Sequence, residues 1–190
     1  GMLVFLPGQR EIQKLAALLT QELGTGYKLQ LLYGTMPFEK QCVAMRSVKE
    51  GRKIVLATSI AETSLTIEGI QVVVDGGKAR RTEFDPSTGM ERLVTTRVSK
   101  HEATQRMGRA GRIAAGHWYK FWSRPEDGGL PVSPTAEMNV ADLSSLALEL
   151  ALWGAKVTTL AFLSPPNPMR LAEAQSLLST LSALNADGNI

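Results

Sequence analysis

Gln105–Arg112 reads QRMGRAGR. Arg106, Arg109 and Arg112 recur at every third position, with Gly108 and Gly111 between them. On a helix this spacing keeps the three guanidinium groups within one broad face. Guanidinium is permanently charged and donates in a rigid fork, which suits phosphate. Glycine lets another backbone or a polyphosphate come close. Upstream, Ser99 followed by Glu102 three positions later has the form of a capping box, so a helix is predicted to begin there. The competing reading is a solvated basic helix. Two glycines inside such a helix would cost about 1 kcal/mol each relative to alanine, so phosphate chemistry explains the stretch better.

Charge is concentrated around this stretch. The whole chain of 190 residues has a net charge of +3. Residues 78–124 carry 11 basic and 4 acidic side chains, a net +7, whereas residues 125–190 carry 2 and 7, a net −5. A basic middle third points to a polyanion partner and an acidic tail to a different module. The hydrophobic content of 44% is ample for a packed core. The single cysteine, Cys42, excludes an internal disulfide and fits a reducing, cytoplasmic setting. No apolar run approaches about 20 residues, so no membrane-spanning helix is expected.

The frame is read from the apolar runs before the arginines. Leu3–Leu6, Lys28–Leu32, Lys53–Ala57 and Gln71–Asp75 are short and mostly apolar, as strands buried on both faces are. Between them, Gln9–Leu23 repeats apolar residues at helical spacing, and Pro37 opens a second helix running to about Val48. This alternation predicts an α/β fold: a parallel sheet with helices on both faces. Ligands gather at the carboxyl ends of such strands. Pro7-Gly8, Tyr33-Gly34-Thr35, Thr58-Ser59 and Asp75-Gly76-Gly77 should therefore share one edge.

Lys78–Ser99 breaks the rhythm. Two runs of roughly alternating polarity flank Pro86-Ser87-Thr88-Gly89, which predicts an antiparallel hairpin over about 79–98 carrying Arg80, Arg81, Arg92 and Arg97. His117–Trp122 reads as a strand whose Trp118 and Trp122 could stack on bases but are expected to pack in the core. Arg124–Glu137, rich in proline and glycine, is a linker candidate. Val140–Trp153 and Pro168–Leu184 follow as helices. The expected division is residues 1–132 and 133–190.

A second motif leaves the third strand. Ala57–Ile67, ATSIAETSLTI, is rich in hydroxyls, and a helix starting near Ile60 would add backbone N–H donors for phosphate. Together the two motifs bring a family into view. The chain resembles the second RecA-like domain of DEAH-box RNA helicases, most closely the bacterial HrpB type. The stretches that carry the resemblance are VFLPGQREI (4–12), LYGTMPFEKQ (32–41), KIVLATSIAETSLTIEGI (53–70), VVDGGKARRTEFDPSTGM (73–90) and SKHEATQRMGRAGR (99–112). Residues 133–190 are similar to the beginning of that family's winged-helix domain.

The resemblance implies roles. Arg109 and Arg112 would be arginine fingers for the γ-phosphate of ATP, and Gln105 would help to hold the phosphate and the attacking water. Thr66, Glu68, Gly108 and Met45 would lie on the ATP side. Gly8, Gln9, Arg10, Thr58, Ser59, Thr63, Arg80 and Arg81 would face single-stranded RNA, with the hairpin as a wedge between strands. Ser59 stands where the family usually has asparagine, and Met45 near where relatives offer an aromatic face to adenine. The sequence contains no GxxxxGK[ST] loop and no DEAH-like motif. The resemblance therefore assigns ATP and Mg2+ mainly to an N-terminal RecA-like domain outside these residues, with no metal ligands here. Two other readings stay open from sequence: a stand-alone nucleic-acid-binding α/β module, and a helicase of the same superfamily acting on DNA.

Overall fold

In the computed structural model, which describes residues 1–62, 66–85, 87–112, 114–185 and 188–190, the apolar runs become strands. They are β1 (Met2–Phe5), β2 (Tyr27–Leu32), β3 (Arg52–Ala57), β4 (Val72–Asp75), β5 (Lys78–Asp85), β6 (Met90–Arg97) and β7 (His117–Lys120). The helices are α1 (Gln9–Glu22), α2 (Phe38–Met45), α3 (Lys100–Met107), α4 (Arg124–Gly128), α5 (Ser144–Trp153) and α6 (Pro168–Thr180). Five strands form a parallel sheet in the order β2-β3-β1-β4-β7, and β5 and β6 pair as a hairpin.

Side-chain alternation sorts the sheet into two faces. Ile54 and Leu56 of β3 meet Ile12 of α1 on one face, with Met2 and Val4 of β1 packed against them. Leu3, Phe5, Val55, Ala57 and Val73 point to the other, where Ala44 of α2, Ala61 and Ala110 cover them. Helices on both faces are thus dictated by runs apolar at every position.

The register fixes the carboxyl edge. Leu32 pairs with Ala57, Ala57 with Phe5, Phe5 with Asp75 and Asp75 with Lys120. Five carboxyl ends finish level. Gly8, Tyr33, Thr58 and Gly76 therefore leave the sheet along one edge, as the strand endings predict.

The chain divides into two compact units. The first contains residues 1–81 and 95–134, and holds the sheet, α1 to α4 and the base of the hairpin. Beneath that base Ala79, Val98, Ala103 and Leu130 form a small core, joined by Trp118 and Trp122. The tryptophans pack edge to face, 6.1 Å between ring centres, which is the core use expected of them. The second unit contains residues 82–94 and 135–190. There α5 and α6 bury Leu143, Ala147, Ala174, Leu178 and Leu184 together. Within this unit the Phe84 N–H donates to the Val140 carbonyl at 2.9 Å.

Several elements differ from their sequence reading. Helix α3 starts at the predicted capping box, with Ser99 and Glu102 bonded reciprocally. It stops at Met107, and Arg109 and Ala110 continue in tighter turns, donating to Arg106 and Met107 at 3.1 and 3.0 Å. The three arginines consequently do not share one helical face. Gly108 takes the helix C-terminal position, where glycine's low helix propensity does no harm. The helix expected near Ile60 is a single 3₁₀ turn, Ser59–Ala61. The linker stretch contains α4, whose start is capped by Ser123 and Glu126 in a second capping box. Helix α2 ends at Met45 rather than Val48, because Ser47 turns its N–H to Glu68 at 2.9 Å. The second unit's first helix begins at Ser144, after a 3₁₀ turn at Glu137–Asn139, and α6 ends at Thr180.

The turn holding Ala110 in the core is closed by Gly116. A methyl group there would stand 2.3 Å from the Ala110 carbonyl oxygen and 2.6 Å from that of Gln71, both backbone atoms. Gly116→Ala is expected to lower the unfolding free energy by about 1–3 kcal/mol, the usual cost of overpacking. Urea unfolding of the chain measures it, and a loss under about 0.5 kcal/mol, the range of neutral surface changes, would show that this turn does not constrain residue 116.

Candidate functional site

The arginine segment lies in the first unit, against the carboxyl edge of the sheet. Arg106 is fully buried. Its Nε donates to Glu62 Oε1 at 2.8 Å and its Nη1 to Asp75 Oδ1 at 2.7 Å. Nη2 lies 2.6 Å from Glu62 Oε1, and both terminal nitrogens reach the Lys78 carbonyl at 3.3 Å. The face of Phe5 lies 4.7 Å from the guanidinium carbon. Asp75 Oδ1 also accepts the Gly77 N–H at 2.9 Å. Burial pushes the Glu62 carboxyl up from its ordinary range, while Arg106 pulls it back. This arginine is a structural ion partner, not a phosphate donor.

Arg109 is buried too, at 5% exposure. Its Nε donates to the Glu62 main-chain carbonyl at 3.1 Å, and its Nη2 donates to the same oxygen. Burial and then the positive charge of Arg112 lower its pKa, with Glu62 acting in the opposite sense. Arg112 is exposed, and its Nη1 donates to the Thr66 hydroxyl at 3.1 Å. Two cations, one held and one exposed, thus stand close enough to repel. Gln105 and Gly108 are exposed at the end of α3. Glu68 is exposed, and the Ser47 N–H holds its carboxylate below the usual range. Its own N–H donates to the Met45 carbonyl at 2.9 Å, while Met45 packs half-buried against the core.

The other candidate residues lie along the same edge. Gly8 is the residue before α1, buried beneath Arg80. A methyl group on it would stand 2.5 Å from Arg80 Nη1. Arg80 pairs with Glu11 at 3.0 Å, and Glu11 keeps a second buried oxygen without a hydrogen-bond partner. Arg81 is engaged as well, with the Thr96 hydroxyl at 3.0 Å and Glu102 at 2.5 Å. Gln9 and Arg10 are exposed, and Gln9 accepts from the Thr35 hydroxyl at 3.2 Å. Thr58 is half-buried, its N–H on the Leu32 carbonyl at 3.1 Å, and Ser59 is exposed. Thr63 lies outside the described residues.

Residue-by-residue reading missed Glu62 and Asp75, the partners of Arg106. The available signal was charge: Glu62 is the one carboxylate in the hydroxyl-rich run, and a motif arginine turned inward requires a counter-ion. The donor set as a whole fits an anion. It consists of guanidinium and hydroxyl groups, whereas the neighbouring carboxylates Glu62 and Asp75 are both committed to Arg106.

Arg106→Met would strand Glu62 and Asp75 as buried, unpaired carboxylates. Its expected cost is about 3–5 kcal/mol, read by denaturant unfolding, and a loss below about 1 kcal/mol would deny the ion cluster its structural role. A second expectation concerns acid. Burial of the Glu102 carboxyl works against its charge, but the Ser99 N–H and hydroxyl, then Arg81, hold it below its usual range. A depressed folded pKa contributes stability above the unfolded value, about 4.3 for glutamate, that is lost as pH falls through the folded one. Glu102→Gln should therefore flatten the acid limb of stability against pH, and an unchanged limb would contradict the assignment.

Residues 1–114 match the family described as the helicase conserved C-terminal domain. The chain is 40% identical over 189 residues to ATP-dependent RNA helicase HrpB of Escherichia coli (strain K12), covering 98% of this chain and 23% of that protein. It is 37% identical over 188 residues to ATP-dependent RNA helicase HrpA of Borreliella burgdorferi, covering 97% and 23%. The crystal structure of the Escherichia coli DEAH/RHA helicase HrpB matches with a TM-score of 0.93 at 39% identity, over 100% of this chain and 24% of that one. The chain thus spans about a quarter of the length of these relatives. Its parallel sheet with the added hairpin has the C-terminal RecA-like fold of that helicase.

Proposed function

The chain belongs to the helicase conserved C-terminal domain family, and from that premise we propose that it works as the second RecA-like domain of an ATP-dependent RNA helicase. The observation that carries this reading is the pair Arg109 and Arg112, one buried on the Glu62 carbonyl and the other exposed on the Thr66 hydroxyl beside the carboxyl edge. Guanidinium groups side by side suit an anion with charge spread over several oxygens, and a transferring phosphoryl group is such an anion.

ATP supplies the phosphoryl group, and Mg2+ is held mainly by the partner domain of the same protein. Arg109 and Arg112 place positive charge where the reaction develops negative charge. Gln105 orients the water, and Thr66 and Glu68 sit beside the nucleotide with Gly108 and Met45. Single-stranded RNA runs along the neighbouring strand ends, past Gly8, Gln9, Arg10, Thr58, Ser59 and Thr63. Arg80 and Arg81 join it by exchanging Glu11 and Glu102 for phosphate. Residues 133–190 begin a winged-helix domain, the hairpin acts as the strand wedge, and the protein works in the cytoplasm.

In the full-length enzyme, Arg109→Ala is expected to lower kcat by about 10³-fold or more, in the range ascribed to arginine fingers, with a much smaller change in KM. Steady-state ATPase kinetics decide it. A raised KM at unchanged kcat would make Arg109 a ground-state anchor instead. RNA binding should weaken with salt, the slope of log K against log salt gaining about −0.7 per neutralised phosphate, and a flat salt titration would remove the RNA surface.

A further inference from the structure

Glu62 faces both inner arginines, and with different parts of itself. Its carboxylate holds Arg106 through Nε and Nη2 at 2.8 and 2.6 Å. Its main-chain carbonyl accepts Nε of Arg109 at 3.1 Å and Nη2 of the same side chain. The residue is buried, so neither contact competes with bulk water. We propose that Glu62 is the positioning residue of the arginine finger: the ion pair with Arg106 fixes its backbone, and its carbonyl then sets the direction of the Arg109 guanidinium.

The backbone on the amino side of Glu62 is too short a support to do this alone. It is one 3₁₀ turn, in which Ala61 donates to Thr58 at 3.2 Å and Glu62 to Ser59 at 2.9 Å. Short 3₁₀ turns have poor hydrogen-bond geometry and do not define a carbonyl direction strongly. The carboxylate supplies the missing constraint. It is clamped by Arg106, which Asp75 at the end of β4 and the Lys78 carbonyl at the start of β5 hold in turn. A carbonyl oxygen accepting two donors from one guanidinium defines the plane of that group as well as its distance. Arg109 is thereby ordered before any ligand arrives, which lowers the entropy lost when it engages charge.

The proposal rests on Arg109 acting in ATP hydrolysis, and the experiment separates the two claims. In the full-length enzyme, Glu62→Gln keeps the residue's size and its carbonyl but removes the charge that clamps Arg106. The expected result is a fall in kcat of about 10- to 100-fold, the scale of small misplacements in an active site, with KM within about twofold. Glu62→Gln combined with Arg109→Ala should be no slower than Arg109→Ala alone. In the 190-residue chain, side-chain ¹⁵N–¹H spectra should show the Arg109 Nε–H signal sharp and slow to exchange, and lost or broadened in Glu62→Gln. If Glu62→Gln does not fold, Glu62→Asp is read in the same ways, since the shorter side chain displaces the clamp while keeping its charge. Effects on kcat that multiply with those of Arg109→Ala, or an Arg109 signal unchanged by the substitution, would overturn the positioning role. A fully active Arg109→Ala would instead remove the arginine-finger reading, while the spectra would still decide whether Glu62 orders the guanidinium.

Discussion

A guanidinium shut away from water must be matched by negative charge and hydrogen bonds, because an unpaired buried ion costs several kcal/mol. Arg106 meets that demand from four directions: Glu62 after the 3₁₀ turn, Asp75 at the end of β4, the Lys78 carbonyl at the start of β5, and the face of Phe5 in β1. These groups come from separate parts of the sequence, and only one arrangement of the strands brings them together. A buried pair of this sort adds little net stability compared with an apolar core. Its effect is specificity, since alternatives that break it are penalised heavily. In this domain it fixes which strand ends sit beside the arginine segment.

The basic charge of the middle third is then divided by geometry. Arg106 is neutralised inside, Arg80, Arg81 and Arg97 are each paired with a glutamate, and Lys120 is paired with Asp127. The Lys120 ammonium also lies 4.5 Å from the Trp118 ring centre. A large part of the positive charge counted from sequence is therefore committed to internal partners. The pair at Arg109 and Arg112 stands out as a place where two cations are neighbours. Local arrangement, more than net charge, marks the site.

How much of this could be read beforehand follows from distance along the chain. Four of the five parallel strands were legible because each is a run of mostly apolar residues, and their common edge follows from topology alone; β7, HWYK, was read as a strand but its place beside β4 was not. The capping box at Ser99 was legible for the same reason: its two members are three residues apart. The fate of Arg106 was not legible, because Glu62 and Asp75 lie 44 and 31 residues away. Nor were the pairings of Arg80 with Glu11 and of Arg81 with Glu102, which are 69 and 21 residues distant. Spacing within QRMGRAGR pointed to phosphate chemistry for all three arginines alike. Packing buried Arg106 as an ion partner and Arg109 against the Glu62 carbonyl, and left Arg112 exposed.

The end of α3 explains why that division is possible. Had α3 continued through Arg112, each step of three residues would have turned the next arginine by about 60° around the axis. Arg106 and Arg109 would then sit one turn apart along the helix, with Arg112 a further turn on. A rigid rod placed so as to bury the first would carry the last away from Thr66 along its axis. The helix instead stops at Met107, and the tighter turns that follow leave Arg106 on Glu62 and Asp75, Arg109 on the Glu62 carbonyl and Arg112 on the Thr66 hydroxyl. Ala110, between them, is buried in the sheet's core cluster and pins the turn in place. The motif therefore encodes a helix end, and it is that end which sends its arginines to different partners.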